Sequence, residues 1–210
     1  MNHFCAYILA LPAITQFLQA PHLCSCTALG GLPLYCADVR TDIAEVHKQD
    51  KLALYDLREL GFGALTGVPV ARLGADVIIV AADIPNQVIV LLAGEGLNLC
   101  EQLEAAGAVR LSTDELDSYQ KSACTQWRKL SDAASIVASY LQAHPKIAEV
   151  RWPGLKTDSS FKIAAQTLEG GFGARVDWRV KNANQWHSYF AQAQDWQVQV
   201  LKFECKLKTL

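Results

Sequence analysis

The residues best placed to do chemistry follow short apolar runs. Asp56 closes the run Leu52–Tyr55, residues 83–87 follow Val77–Ala82, and Gly94-Glu95-Gly96 follows Val88–Ala93. In α/β proteins, ligand-contacting groups gather at the carboxyl ends of the strands, so Asp56 and residues 83–87 mark the candidate site. Gly94-Glu95-Gly96 sits between a strand and a helix, where backbone N–H groups can cradle a phosphate. It lacks the third glycine and the later acidic residue of a dinucleotide fingerprint. Gly170-Gly171-Phe172-Gly173 reads as a helix stop. Cys24-Ser25-Cys26 is too tight for a zinc pair, and no second pair with a nearby histidine completes a site. The five histidines (3, 22, 47, 144 and 187) are scattered. His144, before Pro145, reads as a helix C-terminal residue, where the dipole favours positive charge. Seryl or cysteinyl catalysis has no supporting motif, and Cys100 and Cys124 read as core positions on helices.

The three runs, each four to six apolar residues long, are bounded by turn signals and rich in Val and Ile. They predict strands buried on both faces in the middle of a parallel sheet. Val39, Ile43 and Val46 predict a helix ahead of them, capped by Asp38 and ending near His47–Asp50. Leu97, Cys100, Leu103 and Ala106 predict a short helix closed by Gly107. Ser112 and Glu115 have capping-box spacing. They open a long helix whose stripe Leu116, Tyr119, Ala123, Trp127, Leu130, Ala134, Val137, Leu141 keeps the helical period. Such a helix is a natural bridge between two lobes.

Beyond His144-Pro145, Ile147–Trp152 predicts a strand ending in Pro153-Gly154, and Ser159 caps a helix through Leu168. Val176, Trp178 and Val180 alternate with Arg175, Asp177 and Arg179 as a strand with one wet face. Trp186, Tyr189, Phe190 and Ala193 predict a helix, and Trp196, Val198 and Val200 a last strand. Residues 1–36 carry no Asp, Glu, Lys or Arg. Tyr7–Leu11 reads there as a strand, Ile14–Leu18 as a short helix and Gly30–Pro33 as a turn. The resulting division is 1–36, an unassigned apolar segment; 37–111, an αβ domain; 112–143, the bridging helix; and 144–210, a small αβ lobe.

Composition narrows the function classes. The chain has 210 residues, 51 % of them apolar, and a net charge of −2. It can bury a substantial core, and nothing in its charge points to nucleic acid or an anionic membrane. The seven cysteines are odd in number and irregularly spaced, the pattern of a cytoplasmic protein with free thiols. No Lys or Arg precedes Arg40 and Pro12 interrupts the first apolar run, so neither a targeting segment nor a transmembrane helix is read.

The order of these signals resembles the Cys/Met-metabolism pyridoxal-phosphate enzymes, the cystathionine γ-synthase and γ-lyase group. Leu141 to Leu155 (LQAHPKIAEVRWPGL) resembles the family's "L..HP.V..V.YPGL" segment. Phe161–Gly173 (FKIAAQTLEGGFG) resembles the helix and "GFG" turn that follow it. Leu73–Ile79 (LGADVII) resembles the "LGADIVV" that precedes the catalytic lysine, and Leu54-Tyr55-Asp56 a strand ending in Asp. The likeness spans residues 37–180. Residues 1–36 match nothing in the family's N-terminal part, and no counterpart follows Trp186 for the "SLGG" segment or the later carboxylate-binding arginine.

The resemblance implies a shortened α/β member of fold type I: a mainly parallel cofactor-type sheet, the bridging helix and a small αβ lobe. It implies pyridoxal 5'-phosphate as cofactor, sulfur amino acids (cystathionine, cysteine, homocysteine) as the small-molecule ligands, and a homo-oligomer. Asp56 is the implied partner of the cofactor's ring nitrogen; an ungapped count back from Asp76 selects Glu59 instead. The family's Ser-x-Thr-Lys, whose lysine stands eight residues after the Asp of "GAD", falls here on Ala81, Asp83 and Ile84. No lysine lies between Lys51 and Lys121. Asp83 also puts negative charge where the family offers donors to a phosphate. Covalent cofactor binding is therefore not expected, and no catalytic residue is assigned. The expectations are an impaired lyase or transferase, a non-catalytic partner of an intact paralogue, or a binder of small anionic ligands.

Overall fold

The computed structural model describes residues 4–26, 39–192 and 196–208. The Gly30–Pro33 turn and the Asp38 cap lie outside them. Leu52–Tyr55, Val77–Ala82 and Val88–Ala93 form strands within a residue or two of the expected bounds: β3 (Leu52–Asp56), β4 (Val77–Ala81) and β5 (Gln87–Ala93). They share a six-stranded sheet with β1 (Phe4–Ala10), β2 (Leu23–Ser25) and β6 (Val109–Arg110), in the order β2-β3-β4-β5-β1-β6.

The sheet is mixed. β2, β3 and β4 run parallel, whereas β5 is antiparallel to β4 and β1, and β1 to β6. The expectation that all three apolar runs lie in a parallel sheet fails at β5. Only residues 82–86 join β4 to β5, and a parallel crossover needs about a dozen residues or more. A hairpin is the one connection that short a loop permits.

Side-chain alternation covers both faces of the sheet. Ala53, Tyr55, Ile78, Val80, Ile89 and Leu91 face one core, with α2 (Val39–His47) and α3 (Ala64–Gly67). Leu54, Val77, Ile79, Val88, Val90 and Leu92 face the other, with α1 (Leu11–Phe17) and α4 (Cys100–Ala105). Residues 4–26 do not stand apart from this domain. Ala6 belongs to the first core and Tyr7 and Leu9 to the second, so β1 is an interior strand.

The long helix α5 (Thr113–Ala143) starts at the capping box: the Glu115 amide donates to Ser112 Oγ, and the Ser112 amide donates to the Glu115 carboxylate. Its 31 residues span about 46 Å at 1.5 Å per residue. Leu116, Ala123 and Trp127 pack into the large domain, and Ala134, Val137 and Leu141 into the small lobe. Trp127 lies in a slot of glycines: a Cβ on Gly67 would fall 2.1 Å from the indole, and one on Gly173 2.8 Å from it. Cys124, expected in the core, is exposed on the outer side of α5, while Cys100 is half-buried. The apolar stripe passes through Ala123 and Trp127, and Cys124 lies one position off it.

The small lobe has an antiparallel sheet of β7 (Ile147–Arg151), β8 (Arg175–Val180) and β9 (Trp186–Phe190), with α6 (Phe161–Thr167) and α7 (Trp196–Lys208). The last two assignments from sequence are interchanged: residues 186–190 are a strand and 196–208 a helix. A hairpin holds β9 against β8, with Trp186 opposite Arg179 and Phe190 opposite Arg175. The buried stripe of α7 is Gln199, Phe203 and Leu207, and its glutamine hid the helical period. Ser160, not Ser159, precedes α6; Asp158 accepts from the Ser160 amide at 2.8 Å and from its hydroxyl at 2.6 Å.

Candidate functional site

The carboxyl ends of β3 and β4 lie side by side, with Asp56 opposite Ile79 in the parallel register and the Leu57 amide donating to the Ile79 carbonyl at 2.7 Å. Asp56 thus stands where the sequence puts it, at the mouth of the parallel strands. Its carboxylate is already engaged. Arg58 Nε donates to Oδ1 at 2.8 Å and to Oδ2 at 3.0 Å, and Nη2 donates to Oδ2 at 2.5 Å. The Arg58 amide adds a contact at 3.2 Å. Hydrogen bonding to Asp56 raises the guanidinium above its ordinary value against the opposing effect of burial. The fork arises because a one-turn 3₁₀ segment at Arg58–Leu60 follows the strand and folds Arg58 back over its end. Glu59, the alternative carboxylate, is exposed in that turn.

Asp83 and Ile84 form the exposed tip of the β4–β5 hairpin. The Gln87 amide donates to the Ile84 carbonyl at 3.3 Å, and Asn86 takes a left-handed φ of 60° to close the turn. Asn86 suits that conformation because its short polar side chain tolerates it. Ile84, at the lysine position of the resemblance, is 43 % exposed.

The GEG segment is not an open cradle. Gly94 and Gly96 press on Asp76: a Cβ on Gly94 would lie 3.0 Å from its Oδ1, and one on Gly96 2.2 Å from its carbonyl oxygen. Asp76 is a residue that motif reading passed over except as part of "GAD". Its carboxylate is buried, accepts from the Ala53 amide at 2.8 Å and pairs with His47 Nε2 at 2.7 Å. This cluster ties α2, β3 and β4 together at the amino end of the parallel strands, opposite Asp56. No spacing rule joins His47 to Asp76; the helix–strand packing brings them together.

The segments that carry the resemblance most plainly are scaffold. Gly171 and Gly173 fold the GGFG turn over α5, where the Phe172 amide donates to Ser131 Oγ at 2.8 Å. Trp152 Nε1 donates to the Gly173 carbonyl at 3.1 Å, and Gly154 tucks under the Trp152 ring. At the Cys24–Cys26 pair, burial pushes the Cys26 thiol up to about 11. Among the described residues no group of three or more His, Cys, Asp and Glu is placed to hold a metal ion, and no helix is long and apolar enough to cross a membrane.

Pyridoxal phosphate asks three things of this end of the sheet: a carboxylate for the ring nitrogen, an amine for the Schiff base, and donors for the phosphate. The first is present but bound to Arg58. The amine is missing from the whole stretch between Lys51 and Lys121. In place of phosphate donors stands a solvent-facing hairpin tip carrying Asp83. At this end of the sheet the carboxylate of Asp56 is held by Arg58, and no lysine lies between Lys51 and Lys121.

Comparison with known proteins bears out the resemblance read from the sequence. Residues 125–200 match the family model described as Cys/Met metabolism PLP-dependent enzyme. Comparison with curated proteins gives no match. Among solved structures, the chain is similar to cystathionine γ-synthase from Xanthomonas oryzae pv. oryzae in complex with cystathionine, with a TM-score of 0.59 and 20 % identity over 82 % of this chain and 46 % of that one. It is also similar to cystathionine γ-lyase from Lactobacillus plantarum complexed with L-serine, with a TM-score of 0.55 and 21 % identity over 70 % and 40 %. A third likeness is to metB from Corynebacterium glutamicum, with a TM-score of 0.56 and 16 % identity over 76 % and 43 %. The fold is shared with fold-type-I pyridoxal-phosphate enzymes, and this chain spans less than half the length of each.

Proposed function

Because residues 125–200 match the Cys/Met metabolism family and the chain takes up the fold of its synthases and lyases, we propose that it is a catalytically silent relative of the transsulfuration-type lyases and transferases. One observation carries this reading: Ile84 stands at the tip of a short exposed hairpin where the resemblance calls for the Schiff-base lysine. Without that amine there is no covalent anchor for the cofactor and no proton shuttle beside it. The test is an assay of cleavage of cystathionine, cysteine or homocysteine with added pyridoxal phosphate. The expected result is no turnover above a protein-free blank; cofactor-dependent turnover by the purified chain overturns the reading.

A second reading, that the chain serves as a non-catalytic subunit beside an intact relative, draws support from the small lobe. Trp186, Phe190, Trp196, Val198 and Leu201 are exposed there, and aromatic residues are enriched at interfaces. Co-purification with a full-length family member supports this reading, and a lone monomer in solution counts against it. Binding of small anions draws no comparable support at the strand ends, because Arg58 is committed to Asp56. The free thiols of the described cysteines suit a reducing compartment such as the cytoplasm.

A further inference from the structure

The edge of a β-sheet presents a row of backbone donors and acceptors that another strand can pair with, and proteins blunt such edges. Three of the four edges here are blunted. In the large sheet β2 is three residues long and β6 two, too short to serve as templates. In the small sheet β7 carries Glu149 and Arg151 and a register shift between Ile147 and Glu149. β9 has none of these devices. Its sequence, WHSYF, holds no Lys, Arg, Asp, Glu or Pro. It pairs with β8 residue for residue, without a bulge, and among the described residues no strand lies on its other side. α7 packs on the inner face of the sheet, through Phe203 against the rings of Trp178 and Tyr189.

The ladder fixes which backbone groups face outwards. The Ala191 amide donates to the Ala174 carbonyl at 2.9 Å, and bonded pairs alternate with unbonded ones along an antiparallel ladder. His187 and Tyr189 therefore bond to β8, while the amides and carbonyls of Trp186, Ser188 and Phe190 point away from it. The side chains of the same three residues are exposed on the outer face. Arg179 lies 5.6 Å from the centre of the Trp186 ring, and Arg175 6.0 Å from that of Phe190. Both arginines are paired with carboxylates, Glu149 and Asp177. The face is thus balanced in charge, and nothing on it selects a polyanion.

We propose that β9 pairs with β9 of a second copy of this chain, antiparallel about a two-fold axis through Ser188. A two-fold contact must be self-complementary, and this register is. Ser188 meets its own counterpart and each Trp186 meets a Phe190, so all three outward-facing residues exchange both backbone bonds. No charged side chain of one β9 opposes another, and each tryptophan gains an aromatic cross-strand neighbour. The three strands of each copy join into one continuous sheet. The contact does not depend on the catalytic silence proposed above.

The test is sedimentation velocity of the purified full-length chain, with its cysteines reduced, over a range of concentrations. The expected result is a concentration-dependent shift from the mass of one chain to that of two. Ser188→Pro removes the central amide of each strand while sparing the bonds to β8, and weakens dimerisation by about tenfold or more. Ser188→Lys, at an exposed position, sets like charges opposite each other and also weakens it. Under mild oxidation Ser188→Cys gives a covalent dimer whose linking peptide joins position 188 to position 188, within the reach of a disulfide across a bonded pair. Circular dichroism checks the fold of each variant, and the Ser188→Cys link decides alone if another variant fails to fold. The proposal is overturned if the parent chain stays monomeric at its highest soluble concentration or pairs only with an intact family member. It is equally overturned if the dimer is as strong in folded Ser188→Pro and Ser188→Lys, or if Ser188→Cys forms no 188–188 link.

Discussion

Arg58 folds back two residues to grip Asp56 with both Nε and Nη2, at 2.8 Å and 2.5 Å. The carboxylate expected to serve a cofactor ring instead holds the turn that ends its own strand. Both side chains are partly exposed, so Arg58→Ala is expected to cost about 0.5–1 kcal/mol, read as a shift in the urea midpoint. Freeing Asp56 in this way supplies no amine, and the variant is expected to gain no cleavage activity.

Trp127 is the pin between the two lobes. Trp127→Ala empties a glycine-lined slot and is expected to cost about 3–5 kcal/mol. Gly67→Ala fails for the opposite reason, since its Cβ would lie 2.1 Å from the indole, and is expected to cost about 1–3 kcal/mol or more. Chemical denaturation of both variants checks the pair.

Asp158 gives the small lobe a defined response to acid. Burial pushes its carboxyl up, but the Ser160 hydroxyl and amide and the Arg151 guanidinium outweigh that and hold it below the ordinary value. A depressed folded value means the stabilisation is fully present above the unfolded value of about 3.9 and is lost as pH falls through the lower, folded one. Asp158→Asn is expected to destabilise by about 1–3 kcal/mol at neutral pH. The gap to the parent should narrow progressively below about pH 4, measured as urea midpoints across that range.

Ser112→Ala removes the side-chain acceptor at the start of α5 and is expected to cost about 1 kcal/mol. Hydrogen exchange should show the loss first at the amides of Glu115 and Leu116, which bond to Ser112.

Periodicity made much of the fold legible. The capping box, the stripe of α5 and the three apolar runs each express one physical rule strongly. The direction of β5 is legible too, in the shortness of residues 82–86, although the Val- and Ile-rich composition of the runs is that of a parallel sheet. Residues 186–190 and 196–208 differ from the helix and strand that their patterns predict, because the tight β8–β9 pairing decides the strand and the buried stripe of α7 begins at Gln199. That glutamine is accommodated by Tyr189 Oη at 2.9 Å and the Gln192 carbonyl at 3.1 Å, partners no local pattern shows. The same holds at the site. Asp56 was visible at a strand end, whereas its capture by Arg58 and the His47–Asp76 clamp depend on how turns and helices pack.

The most direct measurement is the visible spectrum of the purified chain titrated with pyridoxal phosphate, beside an Ile84→Lys variant. A protonated internal aldimine absorbs near roughly 420 nm, a property of the cofactor itself. The account predicts no saturable band there for the parent chain. A stoichiometric band in the parent, reducible by borohydride onto one lysine, would contradict it.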